Sequence, residues 1–318
     1  MTAASAFGPD LLARLTTSVV GRRRELEAVV AALAAGRHLL LEGPPGTGKS
    51  TVLRAIAESA EIGFEFVEGN AELTPARLVG TFDPSAVLVE GYSPDVFVDG
   101  PLVAALRDGS LLYVEEINRV PEETLNVLIT VMSEGELHVP RLGHVAAADG
   151  FRLVAAMNPF DAVGTARIAS AVYDRCCRLA MDYQSADEEE EIVRNALADP
   201  ARVAAAAADQ HLRLGDTVAM VRDSRDHPDV RTGSSVRGAI DHALLCGELG
   251  RLRGAPPDDD GVTLDAAMLA LSGRLRLREG GSRTAEEVVE ELWRRRFAPA
   301  PAASDGDNGD SRGATGKA

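Results

Sequence analysis

The stretch Leu39–Thr51, LLLEGPPGTGKST, constrains this chain more than any other. Leu39–Leu41 is a short apolar run with the character of a buried strand. Gly43-Pro44-Pro45-Gly46-Thr47-Gly48-Lys49-Ser50 follows and fits G-x-x-x-x-G-K-[ST]; an Ala/Ile/Leu-rich helical pattern runs on from Thr51. Strand, glycine-rich loop and helix in that order form the context a phosphate-binding loop requires. The glycines let backbone N–H groups curl around phosphate oxygens. Lys49 is then placed to reach the β- and γ-phosphates and the Ser50 hydroxyl to bind Mg²⁺. The helix directs its positive dipole end at the anion. Among 33 Lys and Arg residues only Lys49 and Lys317 are lysines. Lys317 belongs to a polar C-terminal tail, so the one lysine in the body of the chain stands where a compact ammonium is wanted rather than a planar guanidinium.

With 318 residues the chain has room for one large domain and a smaller one. Apolar residues make up 45% but aromatics only 4%, so the core must be built mostly from Ala, Leu and Val. A formal net charge of −16 argues against an extended sequence-independent nucleic-acid surface, though it leaves room for a local basic channel. Cys176, Cys177 and Cys246 form neither a disulfide framework nor a zinc site. The adjacent pair reads as two ordinary buried thiols. No apolar run reaches transmembrane length, and MTAASAFGPD lacks the basic and apolar regions of a signal peptide. A cytoplasmic location without membrane insertion is expected.

Residues 1–18 form a small N-terminal segment whose Leu11, Leu12 and Leu15 predict a short docking helix. Arg23–Ala35 predicts an amphipathic helix, Arg37–Glu42 a strand, Thr51–Ala60 a helix and Phe64–Glu68 a strand. Asn70–Gly100 is Gly/Pro-punctuated and reads as a long irregular, functional segment. Helices are expected at Pro101–Arg107, Pro121–Ser133 and Ile168–Tyr173. Strands are expected at Ser110–Val114, Phe151–Ala156 and Arg178–Met181, and a hairpin over Glu136–Val145. After Tyr183 only helical patterns remain, at Ala186–Ala198, Arg202–Val221, Val236–Glu248, Leu264–Ser272 and Thr284–Phe297. The division is therefore an α/β domain over 19–184, an all-helical domain over 185–297 and a low-complexity tail, 298–318, expected to be disordered. The basic runs Arg22–Arg24 and Arg294–Arg296 read as solvated helix faces.

A phosphate loop alone leaves kinases, GTPases and ATPases open. Leu111–Glu116, LLYVEE, narrows the choice by delivering two carboxylates to the C-terminal edge of a strand, where nucleotides sit in open α/β sheets. Glu115 is the expected metal-side acid and Glu116 the carboxylate that polarises the attacking water. Asn158, at the end of the next predicted strand, can orient that water against the γ-phosphate.

Taken with LTPARLVG (Leu73–Gly80), DGPL (Asp99–Leu102), EEINR (Glu115–Arg119), Asn158-Pro159 with Gly164-Thr165, Tyr173-Asp174-Arg175 and GSSVR (Gly233–Arg237), the sequence resembles AAA+ ATPases, specifically the MoxR lineage, over roughly residues 19–297. The resemblance implies a P-loop NTPase αβα sandwich with a five-stranded parallel sheet, followed by an all-helical lid. It further implies ATP and Mg²⁺ as ligands and a homo-hexameric ring with ATP between neighbours. Gly43, Pro44, Pro45, Gly46, Thr47, Gly48, Lys49, Ser50 and Thr51 would hold the nucleotide, Val20 and Gly21 its adenine, and Ser50 with Glu115 the metal. Glu116 would be the catalytic carboxylate and Asn158 the γ-phosphate sensor. Arg175 would be a finger reaching into a neighbour's site and Arg237 a second sensor on the lid. The Gly91–Gly100 segment and the 136–145 hairpin match inserts that face the ring pore or a partner. Such proteins remodel clients beside a partner with a von Willebrand factor A domain, in protein maturation or metal-cofactor insertion. The chain departs from the pattern at Glu115, where Asp is usual, at GSSVR, where GxSPR is usual, and at Cys176, where Phe is usual. The alternatives are a nucleic-acid-directed AAA+ motor and a nucleotide-gated scaffold with little intrinsic hydrolysis.

Overall fold

The computed structural model describes residues 7–159, 170–198 and 211–298. Five parallel strands make the central sheet: β1 (His38–Glu42), β2 (Phe64–Glu68), β5 (Leu111–Glu115), β8 (Arg152–Met157) and β9 (Cys176–Ala180), in the order β2-β5-β8-β1-β9. The three inner strands are apolar runs because both of their faces are covered, as a parallel sheet between helices demands. Side chains alternate strictly between the two faces. Leu39, Leu41, Leu111, Tyr113, Val154 and Ala156 face a core shared with helices α1 (Pro9–Ser18), α2 (Arg23–Ala34) and α3 (Lys49–Ala60). Leu40, Leu112, Val114, Leu153 and Ala155 face the opposite core, shared with α6 (Pro101–Asp108) and α7 (Glu122–Glu134). Leu11 and Leu15 are fully buried, which seats the expected docking helix. Burial of each is worth roughly 1.5–3 kcal/mol.

The registers Leu40↔Ala155 and Val114↔Ala155 align β1, β8 and β5, so Gly43, Asn158 and Glu116 leave the sheet along one edge. The phosphate-loop helix begins at Lys49, two residues ahead of the expected start. The last strand begins at Cys176, two residues ahead of its own. That strand lies at the sheet edge, which exposes Cys177 and half-buries Cys176, so only one of the pair is even partly a core thiol; both are free. Cys176 Sγ packs 3.6 Å from Met132 Sδ, and burial pushes its thiol up to about 12.

The 70–100 segment is more regular than its sequence suggests. It holds α4 (Pro75–Val79), capped by the Thr74 side chain, and α5 (Pro84–Glu90), capped by Asp83. An antiparallel ribbon pairs β3 (Gly80–Phe82) with β4 (Phe97–Asp99). Helices of five and seven residues are too short to show a period, and α5 buries none of its residues, so no apolar stripe marks it. The hairpin forms as expected, β6 (Glu136–Val139) with β7 (Gly143–Ala146).

Beyond Met181 a third core collects residues from Val193 to Trp293. It is built by α9 (Ala186–Leu197), α10 (Leu214–Asp226), α11 (Val236–Arg253), α12 (Asp260–Leu271) and α13 (Ala285–Arg296). This region is not wholly helical: Val230–Thr232 (β10) and Arg276–Leu277 (β11) pair antiparallel, a ribbon too short to leave an alternating pattern in sequence. Arg296 is not simply solvated, since Nε and a terminal nitrogen each meet Asp223 at 2.8 Å. Gly164-Thr165, part of the 168–173 helix, the start of the 202–221 helix and nearly all of the tail lie outside the described residues.

His242 lies fully buried in the lid core, with Nδ1 3.2 Å from Thr217 Oγ1 and Nε2 3.1 Å from the Thr263 carbonyl. Cys246 and Phe297 close the site. Burial lowers its pKa from 6.5 to about 4. A histidine lowered in the folded state contributes stability above its unfolded pKa and loses it as pH falls through the folded one. His242 should therefore cost about 3 kcal/mol of stability between pH 6.5 and 4. Urea unfolding across that range should show a steeper acid loss in wild type than in His242→Gln; parallel curves would contradict it.

Candidate nucleotide site

Gly43 leaves β1 and donates its N–H to the Met157 carbonyl at 3.2 Å. A side chain there would meet the Met181 carbonyl at 2.0 Å, so the turn accepts only glycine. Gly46 and Gly48 take left-handed conformations, φ 76° and 81°, which wrap the loop onto the start of α3. Thr47 Oγ1 donates to the Pro44 carbonyl at 3.0 Å. Lys49 is buried with Nζ 2.9 Å from the carbonyls of both Gly43 and Pro44. Burial lowers its pKa to about 8, against the opposing pull of Glu115. An arriving phosphate adds negative charge beside this ammonium and so favours its charged form.

Ser50 Oγ donates to the Glu115 carboxylate at 3.2 and 3.3 Å and lies 3.3 Å from the Tyr113 hydroxyl. The longer side chain of Glu115 thus spans the distance to the loop directly. A hydroxyl beside one carboxylate suits Mg²⁺, which retains waters and takes its other ligands from phosphates. Among the described residues no cluster of three or more His, Cys, Asp or Glu could hold a metal unaided. Glu116 sits at φ 52° and ψ 44°, a conformation rare outside glycine, Asn and Asp. It ends the strand β5 at Glu115. Glu116 Oε2 meets Arg119 at 2.9 Å.

Two cavities flank the loop. One, about 350 Å³, is lined by Val20, Gly46, Thr47, Gly48 and Thr51 from the sheet domain and by Ile192, Val236, Arg237 and Ile240 from the lid. The other, about 670 Å³, is lined by Pro44, Pro45, Arg119 and Asn158 and by the lid residues Arg225, Arg231 and Arg276. The structure thus gathers Lys49, Ser50, Glu115, Glu116, Asn158 and Arg237 around one loop. Gly21, φ 64°, adjoins Val20 and abuts the Glu188 carboxylate. Arg175 lines neither cavity: it closes α8 (Ser170–Arg175) and donates to Ser133 Oγ and to the Ala171 carbonyl at 3.0 Å.

Arg22 corrects the reading of Arg22–Arg24 as a solvated face. It is 7% exposed, sits in the left-handed region at φ 62° and pairs with Glu25 at 2.8 Å. Its Nη2 donates to the Thr47 carbonyl at 3.0 Å and to the Asp182 carbonyl at 2.5 Å. Glu42, buried beneath the loop, is likewise unmarked in sequence; Tyr173 donates to it at 2.8 Å and Arg178 at 2.5 Å. Neither residue belongs to a recognisable spacing, so only the folded geometry finds them.

Residues 38–176 match the AAA domain of the dynein-related subfamily. Uncharacterized protein YeaC of Bacillus subtilis is 31% identical over 242 residues, 70% of this chain and 72% of that protein. An uncharacterized Staphylococcus epidermidis protein is 26% identical over 225 residues, 66% of this chain and 83% of its own length. Among solved structures, a candidate ATPase of Cytophaga hutchinsonii superposes with a TM-score of 0.52 at 17% identity, covering 92% of this chain and 94% of that one. The Thermotoga maritima RuvB Holliday junction branch migration motor gives a TM-score of 0.51 at 18% identity, covering 79% of this chain and 70% of that one. At such identities the two superpositions speak for the fold alone. Domain match, YeaC relationship and the geometry of the loop agree: the chain belongs to the AAA+ ATPase family.

Proposed function

We propose that this protein is a MoxR-type AAA+ ATPase that hydrolyses Mg²⁺-ATP in a homo-hexameric ring and remodels a client beside a partner carrying a von Willebrand factor A domain, in the cytoplasm. The observation that carries the hydrolytic part is the convergence of Lys49, Ser50–Glu115, Glu116 and Asn158 on one sheet edge, with Arg237 facing the same loop from the lid. In this reading Lys49 binds the terminal phosphates. Ser50 and Glu115 hold Mg²⁺, which supplies charge neutralisation of the phosphate oxygens when bound. Glu116 takes the proton of the attacking water, which the Asn158 amide orients. Arg237 ties the lid to the phosphates, so loss of the γ-phosphate alters the contact between domains. The exposed Tyr92 and Val98, with Leu88 and Val89 of the adjoining α5, support the reading of Gly91–Gly100 as a face toward the ring pore or a partner.

The test is steady-state hydrolysis with particle mass measured with and without Mg²⁺-ATP. Turnover together with ATP-driven growth to about six subunits is expected, and the partner should bind the assembled form. ATP binding without turnover in the assembled state would instead support the gated scaffold. Turnover stimulated by DNA with a steep salt dependence would support the nucleic-acid motor.

A further inference from the structure

We infer that Gln184, in the link between β9 and α9, reads the base of the nucleotide and selects adenine over guanine. The inference rests on the nucleotide reading above and extends it to how the base is chosen. The residues lining the 350 Å³ cavity are of different chemical kinds. Gly46, Gly48, Thr51 and Arg237 are suited to phosphates, whereas Val20, Ile192, Val236 and Ile240 are apolar and suited to the faces of a flat ring. Two amides, Gln184 and Asn195, also line it.

The Gln184 amide is held in one orientation. Its Nε2 donates to the Val20 carbonyl at 2.6 Å, and the Gln184 backbone carbonyl accepts from Arg222 at 2.9 Å, which fixes the chain behind the amide. Turning the amide over would set Oε1 against the Val20 oxygen, two acceptors at contact distance with no proton between them. The held orientation leaves one N–H and the Oε1 lone pairs for a ligand. That is one donor beside one acceptor, the complement of adenine, whose N7 accepts and whose N6 amino group donates. Guanine presents acceptors at both N7 and O6, so its O6 would face Oε1. Gln184 lies in the connection into the lid, so reading the base also engages the segment that joins the two domains.

The test compares displacement of a fluorescent ATP analogue by ATP and by GTP from the full chain. Wild type should prefer ATP by about tenfold or more, and Gln184→Met should bring the two within about threefold by weakening ATP and relieving the opposition of O6 and Oε1 in GTP. GTP binding serves as the control for an intact site. A second measurement needs no variant: 7-deaza-ATP, which lacks N7, and purine riboside triphosphate, which lacks the N6 amino group, should each bind wild type about fivefold or more weaker than ATP. An unchanged ATP-to-GTP ratio in Gln184→Met, or analogues that bind as tightly as ATP, overturns the assignment while leaving the nucleotide reading standing. Failure of wild type to bind any of these nucleotides sinks that reading, and the assignment with it.

Discussion

Glu116→Gln is expected to lower Mg²⁺-ATP turnover by about 10²–10⁴-fold while ATP affinity changes by less than about twofold. The amide nearly matches the carboxylate in size, so the turn at φ 52° and the neighbouring loop can persist. What is lost is the capacity to accept the proton of the attacking water, which matters only as the transition state forms. Arg119 lies 2.9 Å from Glu116 and keeps the group in place without replacing its basicity. Single-turnover hydrolysis and equilibrium nucleotide binding, measured side by side, separate the two effects. Equal loss of binding and turnover would show that Glu116 shapes the site instead of reacting in it.

Arg175→Ala should reduce turnover by about 10³-fold or more in assembled protein and leave nucleotide binding to a single subunit unchanged. The reason lies in where Arg175 stands. Its guanidinium rests on Ser133 and the end of its own helix, and it lines neither cavity beside its own phosphate loop. A finger that serves a neighbour must be absent from its own site. Mixing tests this directly: subunits with Arg175→Ala keep Glu116, and subunits with Glu116→Gln keep Arg175. In an equal mixture about a quarter of head-to-tail interfaces reunite an intact finger with an intact carboxylate, so about a quarter of wild-type turnover should return. No recovery on mixing, with assembly intact, would place the action of Arg175 within its own subunit.

The parts of this molecule legible from sequence are those where one local rule decides the outcome. Three inner strands show as apolar runs because both of their faces are covered, and the loop between β1 and α3 shows because phosphate binding demands glycine and lysine at fixed spacing. Glu115, Glu116 and Asn158 follow, since the ends of buried parallel strands all open on one edge. Arg22 and Gln184 escaped because their partners are remote in the chain: 25 and 160 residues away for Arg22, 164 for Gln184. An arginine at the start of an amphipathic helix and a glutamine in a linker carry no local mark of such contacts. The lid ribbon escaped for another reason, its strands of three and two residues being shorter than any alternation that could announce them.

The contacts of Arg22 also bear on what counts as the working unit. One buried guanidinium ties a residue near the N-terminus to the Thr47 carbonyl in the phosphate loop and to the Asp182 carbonyl at the entry to the lid. The recognisable AAA domain, residues 38–176, contains neither Arg22 nor Asp182. A fragment cut at those bounds would keep Lys49, Ser50, Glu115, Glu116, Asn158 and Arg175, and would lose the strut that braces the loop from outside. The unit that includes this brace is therefore longer at both ends than the domain by which the protein is recognised.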